Sequence, residues 1–244
     1  TLSNTVQIAA GFYNSAALRA DGTVAVWGDN GYSMNTPPAD LTNAVAVALG
    51  TYHGLALRAS GTVTAWGYNG DGQRTVPEGL LDVVSIAASA YNSAAVKSDG
   101  SVSVWGYSGY NVNTPPADLT NALVLALGPY HALALCADGT VAAWGDTGSG
   151  KCTVPSSVSN AVAVAAGESH SVALRADGAV FAWGYNGDGQ CDVPAELSNG
   201  IAIAAGNRHT VAVRADGTVF AWGYNSQGQA LVPAGLPPSQ EERR

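Results

Sequence analysis

Charge is scarce in this chain. Only 11% of its 244 residues are Asp, Glu, Lys or Arg, and the acidic ones outnumber the basic ones 18 to 10. The formal net charge of −8 repels phosphate backbones and anionic lipid headgroups, so nucleic acid and membrane surfaces are excluded as partners. Cysteine is also rare. Cys136, Cys152 and Cys191 cannot all pair, and no CxxC spacing or Cys–His cluster offers a metal site. Apolar residues never run for the roughly 18 positions that a membrane span requires. Thr1 opens neither a basic nor an apolar leader region, so the chain reads as a mature or trimmed soluble product. No stretch carries a helical period either, which leaves strands as the only regular element.

Against these absences stands a strict recurrence. Tryptophan occurs at positions 27, 66, 105, 144, 183 and 222, at a constant interval of 39 residues. A fixed interval of this size marks one supersecondary unit copied in tandem. The chain accordingly divides into six equal blocks, 1–39, 40–78, 79–117, 118–156, 157–195 and 196–234, read together as one domain, with a polar tail at 235–244.

Within a block, short apolar stretches alternate with Gly, Asp-Gly and Pro. In the fifth block, residues 161–166 (AVAVAA) predict a first strand buried on both faces, residues 170–175 (HSVALR) a second, and residues 179–184 (AVFAWG) a third. The Asp177-Gly178 pair between the last two predicts a tight hairpin with positive φ at both turn positions. It recurs at Asp21-Gly22, Asp99-Gly100, Asp138-Gly139 and Asp216-Gly217, with Ser60-Gly61 as the variant. A brief fourth strand is expected to end at Pro38, Pro77, Pro116, Pro155, Pro194 and Pro233, where proline blunts the outer edge. Such a small sheet cannot bury both faces alone. The predicted fold is therefore all-β, a six-bladed β-propeller of 39-residue four-stranded antiparallel blades with the indoles between blades.

The recurring pattern V-x-I-A-A-G-x-x-H-S-x-A-L-x-x-D-G-x-V-x-x-W-G-x-N-x-x-G-Q resembles the repeat of the regulator of chromosome condensation (RCC1-type) family in its bacterial form. With its G-Q-x-x-V-P ending it is most similar to the repeat-propeller β-lactamase inhibitor proteins. The resemblance spans residues 1–234. It departs from the family in blade number, since known members usually have seven. It implies a non-enzymatic, secreted protein-binding module, inhibitor-like, acting outside the cell or at its surface, with an enzyme such as a β-lactamase as partner.

In a meander, the loops joining strands one to two and three to four emerge together, and tyrosine concentrates in them. Phe12, Tyr13, Tyr52, Tyr91 and Tyr130 occupy the first kind of loop, Tyr32 and Tyr110 the second. Aromatic side chains give large contact area at low conformational cost, so these seven are the expected partner-binding residues. The resemblance implies the same role for Tyr13, Tyr52, Tyr91 and Tyr130. Tyrosine at a loop shoulder also serves simply to cover a neighbouring blade.

His53, His131, His170 and His209 share one repeat position with Asn14 and Asn92, which fits a side chain bonding backbone at the start of strand two. No catalytic constellation, cofactor motif or metal spacing stands out, so neither an enzyme nor a cofactor or metal site is expected. Two other readings remain open: a lectin-like carbohydrate-binding propeller, and, by fold analogy, a guanine-nucleotide exchange factor for a small GTPase. A monomer is expected.

Overall fold

The computed structural model describes residues 2–233. The polar tail expected at 235–244 lies outside the described residues. Eighteen strands follow in chain order: β1 (Thr5–Ala10), β2 (Asn14–Arg19), β3 (Val24–Gly28), β4 (Ala44–Leu49), β5 (His53–Arg58), β6 (Val63–Gly67), β7 (Val83–Ala88), β8 (Asn92–Lys97), β9 (Val102–Gly106), β10 (Ala122–Leu127), β11 (His131–Cys136), β12 (Val141–Gly145), β13 (Ala161–Ala166), β14 (His170–Arg175), β15 (Val180–Gly184), β16 (Gly200–Ala205), β17 (His209–Arg214) and β18 (Val219–Gly223). They group into six three-stranded sheets, one per repeat, each in the order first, second, third strand. The chain forms two compact units, one ending at Pro129 and containing β1–β10, the other starting at Tyr130 and containing β11–β18.

The count of six holds, but each sheet has three strands, not the expected four. The segment assigned to the fourth strand satisfies its polar backbone locally. In the second repeat the Asn69 Oδ1 accepts from the Arg74 N–H at 2.8 Å, the Gly72 carbonyl from Thr75 N–H at 2.9 Å, and the Pro77 carbonyl from Leu80 N–H at 3.2 Å. The fifth repeat repeats the device, with Asn186 Oδ1 accepting from Cys191 N–H and Pro194 from Leu197 N–H. Groups bonded within their own loop leave none for a ladder, and proline has no N–H to lend.

Two further expectations are corrected. The first strands are not buried on both faces: Val6, Val45, Val84, Leu123, Val162 and Ile201, one per repeat, are half or more exposed. In the pairings of β1, β4, β7, β13 and β16 the register skips at this residue, and the bulge turns its side chain outward. In the hairpins, only glycine has positive φ (Gly22 at 79°, Gly100 at 79°, Gly178 at 82°). Gly22 N–H bonds the Arg19 carbonyl and Arg19 N–H the Thr23 carbonyl, as in a type I turn closed by a left-handed glycine. Asp21 contributes through its side chain, whose Oδ1 accepts from Thr23 N–H at 3.0 Å and Thr23 Oγ1 at 2.7 Å.

Within each unit, core packing joins neighbouring repeats. In the first unit Trp66 sits with Leu18, Met34, Leu41 and Val47, and Trp105 with Leu55, Leu57, Leu80 and Val83. In the second unit Trp222 packs with Leu197 and Ala212. The hairpin glycine carbonyl also accepts the first N–H of the next repeat's first strand, as in Gly22 with Ala44 and Gly178 with Gly200.

Candidate interaction surface

The loop between a first and second strand is tied to the loop that follows the third. The Tyr13 carbonyl accepts from Asp29 N–H, Tyr52 from Tyr68 N–H, Tyr91 from Tyr107 N–H, and Arg208 from Tyr224 N–H. The variable aromatic residues of one repeat therefore share one end of its sheet, opposite the Asp-Gly hairpins.

In the first unit this placement gathers rings from two repeats. Phe12 meets Tyr13 edge-on at 4.7 Å, Tyr13 stacks on Tyr52 at 5.7 Å, and Tyr32 contacts both Tyr52 (5.4 Å) and Tyr68 (4.7 Å). Phe12, Tyr13 and Tyr32 are each half or more exposed. Thinned hydration and a hydrogen bond with Tyr13 raise the pKa of the Tyr52 phenol. Tyr32 and Ser33 hold left-handed backbones, φ 59° and 60°, as Tyr110 and Asn111 do two repeats later. A bulky residue adopts this conformation only where its surroundings impose it.

Phe12, Tyr13, Tyr32 and Tyr52 form one cluster, and Tyr68, which was not among the expected residues, completes it. Tyr91 pairs with Tyr107 at 5.9 Å, while Tyr110 is exposed and Tyr130 lies half-buried at the start of the second unit. The signal for Tyr68 was its spacing: it follows Trp66 by two residues, and the backbone bond to Tyr52 draws it in.

The histidines behave differently from the expected backbone bonding. His53 Nε2 lies 2.8 Å from Ser93 Oγ in the next repeat, His131 2.9 Å from Ser171, and His170 2.9 Å from Thr210. Ser93 Oγ gives its own hydrogen to the Gln73 carbonyl at 2.7 Å, so His53 must donate from Nε2. The same carbonyl accepts the Trp105 indole N–H at 2.9 Å. The motif recurs with Trp183 and Ser171 on Lys151, and with Trp222 and Thr210 on Gln190. Burial lowers the imidazole pKa to about 4 in His53 and His170, and to about 3 in His131, where the Lys151 charge adds to the effect. Asn14 and Asn92 do bond backbone, at Asp29 and Tyr107.

Residues 5–33, 44–73, 161–190 and 201–229 match the regulator of chromosome condensation (RCC1) repeat. Four of the chain's six blocks carry RCC1 repeats. The matched segments fall in the first, second, fifth and sixth blocks. None of the curated proteins matches this chain. Among solved structures it resembles human WBSCR16 (TM-score 0.74, 21% identity, 92% of this chain and 78% of that one). It also resembles the ectodomain of the receptor kinase CR4 of Physcomitrella patens (TM-score 0.76, 22% identity, 96% and 64%) and yeast RCC1 (Prp20) bound to Kap60 (TM-score 0.73, 20% identity, 91% and 70%). At such identities the likeness establishes a shared fold, that of the RCC1-type β-propellers.

Several charged side chains of these repeats are engaged in local ion pairs. Lys97, Arg175 and Arg214 pair with hairpin aspartates, and Arg58 with Asp40 at 2.8 Å. All three cysteines are free thiols, and burial pushes the Cys191 pKa up to about 11. Among the described residues no three His, Cys, Asp or Glu side chains group as a metal site.

Proposed function

We propose that this chain is a non-enzymatic binding module that docks a protein through the aromatic cluster of its first two repeats. One observation carries the reading: five rings from four loops form a continuous chain of contacts while three of them stay half or more exposed. Rings already braced by one another lose little freedom on docking, which is what an interface anchor requires. The fold relative Prp20 supports a protein partner, since it was solved with Kap60 and is described as binding Gsp1p and histones. An enzyme such as a β-lactamase is the first partner to assay, given the inhibitor-like repeat.

The test compares wild type with Tyr13→Ala/Tyr32→Ala/Tyr52→Ala in pull-downs from source extract and in β-lactamase inhibition. Loss of a captured protein or of inhibition in the variant supports the reading. Equal capture by both, a hit on a glycan array in place of a protein, or nucleotide exchange that survives in the variant would each overturn it.

A further inference from the structure

Three polar residues of the second and third repeats break the chemistry that the other repeats keep. The hairpin carboxylate of Asp21, Asp99, Asp138, Asp177 and Asp216 gives way to the hydroxyl of Ser60. The residue just before the first strand is Asn4, Asn43, Asn121, Asn160 and Asn199 elsewhere, but Asp82 in the third repeat. The residue just before the hairpin pair is Ala20, Ala59, Ala137, Ala176 and Ala215 elsewhere, but Ser98 in the third repeat. All three exceptions line one cavity of about 520 Å³, between the second and third sheets at their hairpin end.

The gap at this hairpin is wider than at its counterparts. A Cβ added at Gly22, Gly100 or Gly178 would come 2.7, 2.3 or 2.6 Å from the head of the next repeat, whereas at Gly61 the nearest atom lies 3.3 Å away. With no hairpin carboxylate beside it, Arg58 turns to Asp40 at 2.8 Å and bonds the Asp40 carbonyl, Asn43 Oδ1 and Thr64 Oγ1. Lys97 is paired with Asp99. Asp82 is thus the surplus charge of this wall. Its φ of 56° is shared by Asn4, Asn160 and Asn199 at 58°, 52° and 53°, so the turn itself does not need a carboxylate. The Asp82 carbonyl accepts Ser98 N–H at 2.8 Å, which holds the two residues together. Among the described residues, neither the Asp82 carboxylate nor the Ser98 hydroxyl bonds a protein group. Ser60 Oγ shares a hydrogen with Thr62 Oγ1 at 2.8 Å and keeps room to accept another. Val45 and Val84, both more than half exposed, supply the apolar part of the lining.

We propose that this cavity binds a cationic nitrogen carried on a short aliphatic stem, as in an alkylammonium ion or a lysine side chain. Asp82 meets the charge, the Ser60 and Ser98 hydroxyls accept the remaining ammonium hydrogens, and Val45 and Val84 flank the stem. The volume suits a small ligand. An anion would face the unpaired Asp82 carboxylate, and a neutral alcohol would bring no charge to meet it. The cavity lies at the hairpin end of its sheets, away from the aromatic cluster, so the two sites stand or fall separately.

Proton–nitrogen correlation spectra of the full chain, titrated with n-butylammonium at low ionic strength, test the proposal. Methylammonium, n-butanol and butyrate serve as controls, and a Gly-Lys-Gly peptide blocked at both ends as the alternative source of the same group. Saturable shifts are expected at the amides of Ser60, Gly61, Asp82 and Ser98, several-fold weaker binding for methylammonium, and none for butanol or butyrate. Asp82→Asn should weaken butylammonium binding about tenfold and Ser98→Ala about threefold. Each installs the residue that the other five repeats carry, so both variants should fold, which the dispersion of the same spectra checks. Tighter binding of the peptide than of the amine would identify a protein's lysine as the source, and the reverse a free amine; both outcomes support the proposal. Shifts that do not saturate, that spread equally over the other hairpins, that butanol or butyrate reproduces, or that persist unweakened in Asp82→Asn would overturn it.

Discussion

At the scale of single residues, the buried imidazoles set how stability responds to pH. Burial holds His53 and His170 neutral with pKa values of about 4, below the ordinary 6.5 of the unfolded chain. Between those values the unfolded state binds protons that the folded state refuses. Stability is therefore full above about 6.5 and is lost as pH falls toward about 4. Urea midpoints at a series of pH values should show this fall, and His53→Asn/Ser93→Ala should flatten part of it. Ser93→Ala alone leaves the His53 N–H without its acceptor and should cost about 1–3 kcal/mol, most of it recovered in the double variant. A second residue-scale contrast lies at Lys151, whose ammonium is buried and bonds Asp146 at 2.6 Å and the Gly148 carbonyl at 3.0 Å. Asp146→Ala strands that charge and should cost about 3–5 kcal/mol by denaturant unfolding. Lys151→Gln installs the side chain that fills the same place at Gln73 and Gln190, and should cost less than about 1 kcal/mol.

At the scale of elements, the hairpin glycines are not equivalent to the other left-handed glycines. Gly100 has φ 79°, and a Cβ there would come 2.3 Å from the Thr120 carbonyl oxygen at the head of the next repeat. Gly72 has φ 83° but open space around it. Gly72→Ala should therefore cost only the conformational penalty of about 1 kcal/mol, while Gly100→Ala adds a backbone clash and should cost more than about 2 kcal/mol. Thermal and urea unfolding of the pair would separate the two contributions. The three strands of each sheet were readable because apolar runs, Asp-Gly and the Trp-Gly pair each state a local preference. The fourth was not. Its apolar residue and proline read like an edge strand, and only the tertiary setting showed that Asn69 and Asn186 capture the N–H groups a ladder would need.

At the scale of the whole molecule, recognition through an aromatic face predicts affinity that is nearly independent of salt, because ring contacts supply most of it and Asp29 is a single charge within reach of Tyr52. Titrating the partner at low and high ionic strength should give dissociation constants within about threefold of each other. The low fraction of charged residues, 11%, agrees with such a surface. Tyr32→Asn should weaken partner binding while moving stability by less than about 1 kcal/mol, since relief at a left-handed position offsets the lost ring contacts. Calorimetry of folding and of binding on the same variant would check both halves.

The 39-residue interval determined the number of sheets, their strand order and the buried place of five of the six indoles, because tandem copies must repeat their local chemistry and their mutual contacts. Tyrosine spacing also placed the candidate face at one end of each sheet. Only the folded structure decided which of those rings touch, that Tyr68 joins them while Tyr91 turns to Tyr107, and that His speaks to a hydroxyl one repeat away. Such pairings depend on distances across strands and between sheets, where loop-closing backbone bonds and bulges move side chains by ångströms that no periodicity along the chain records.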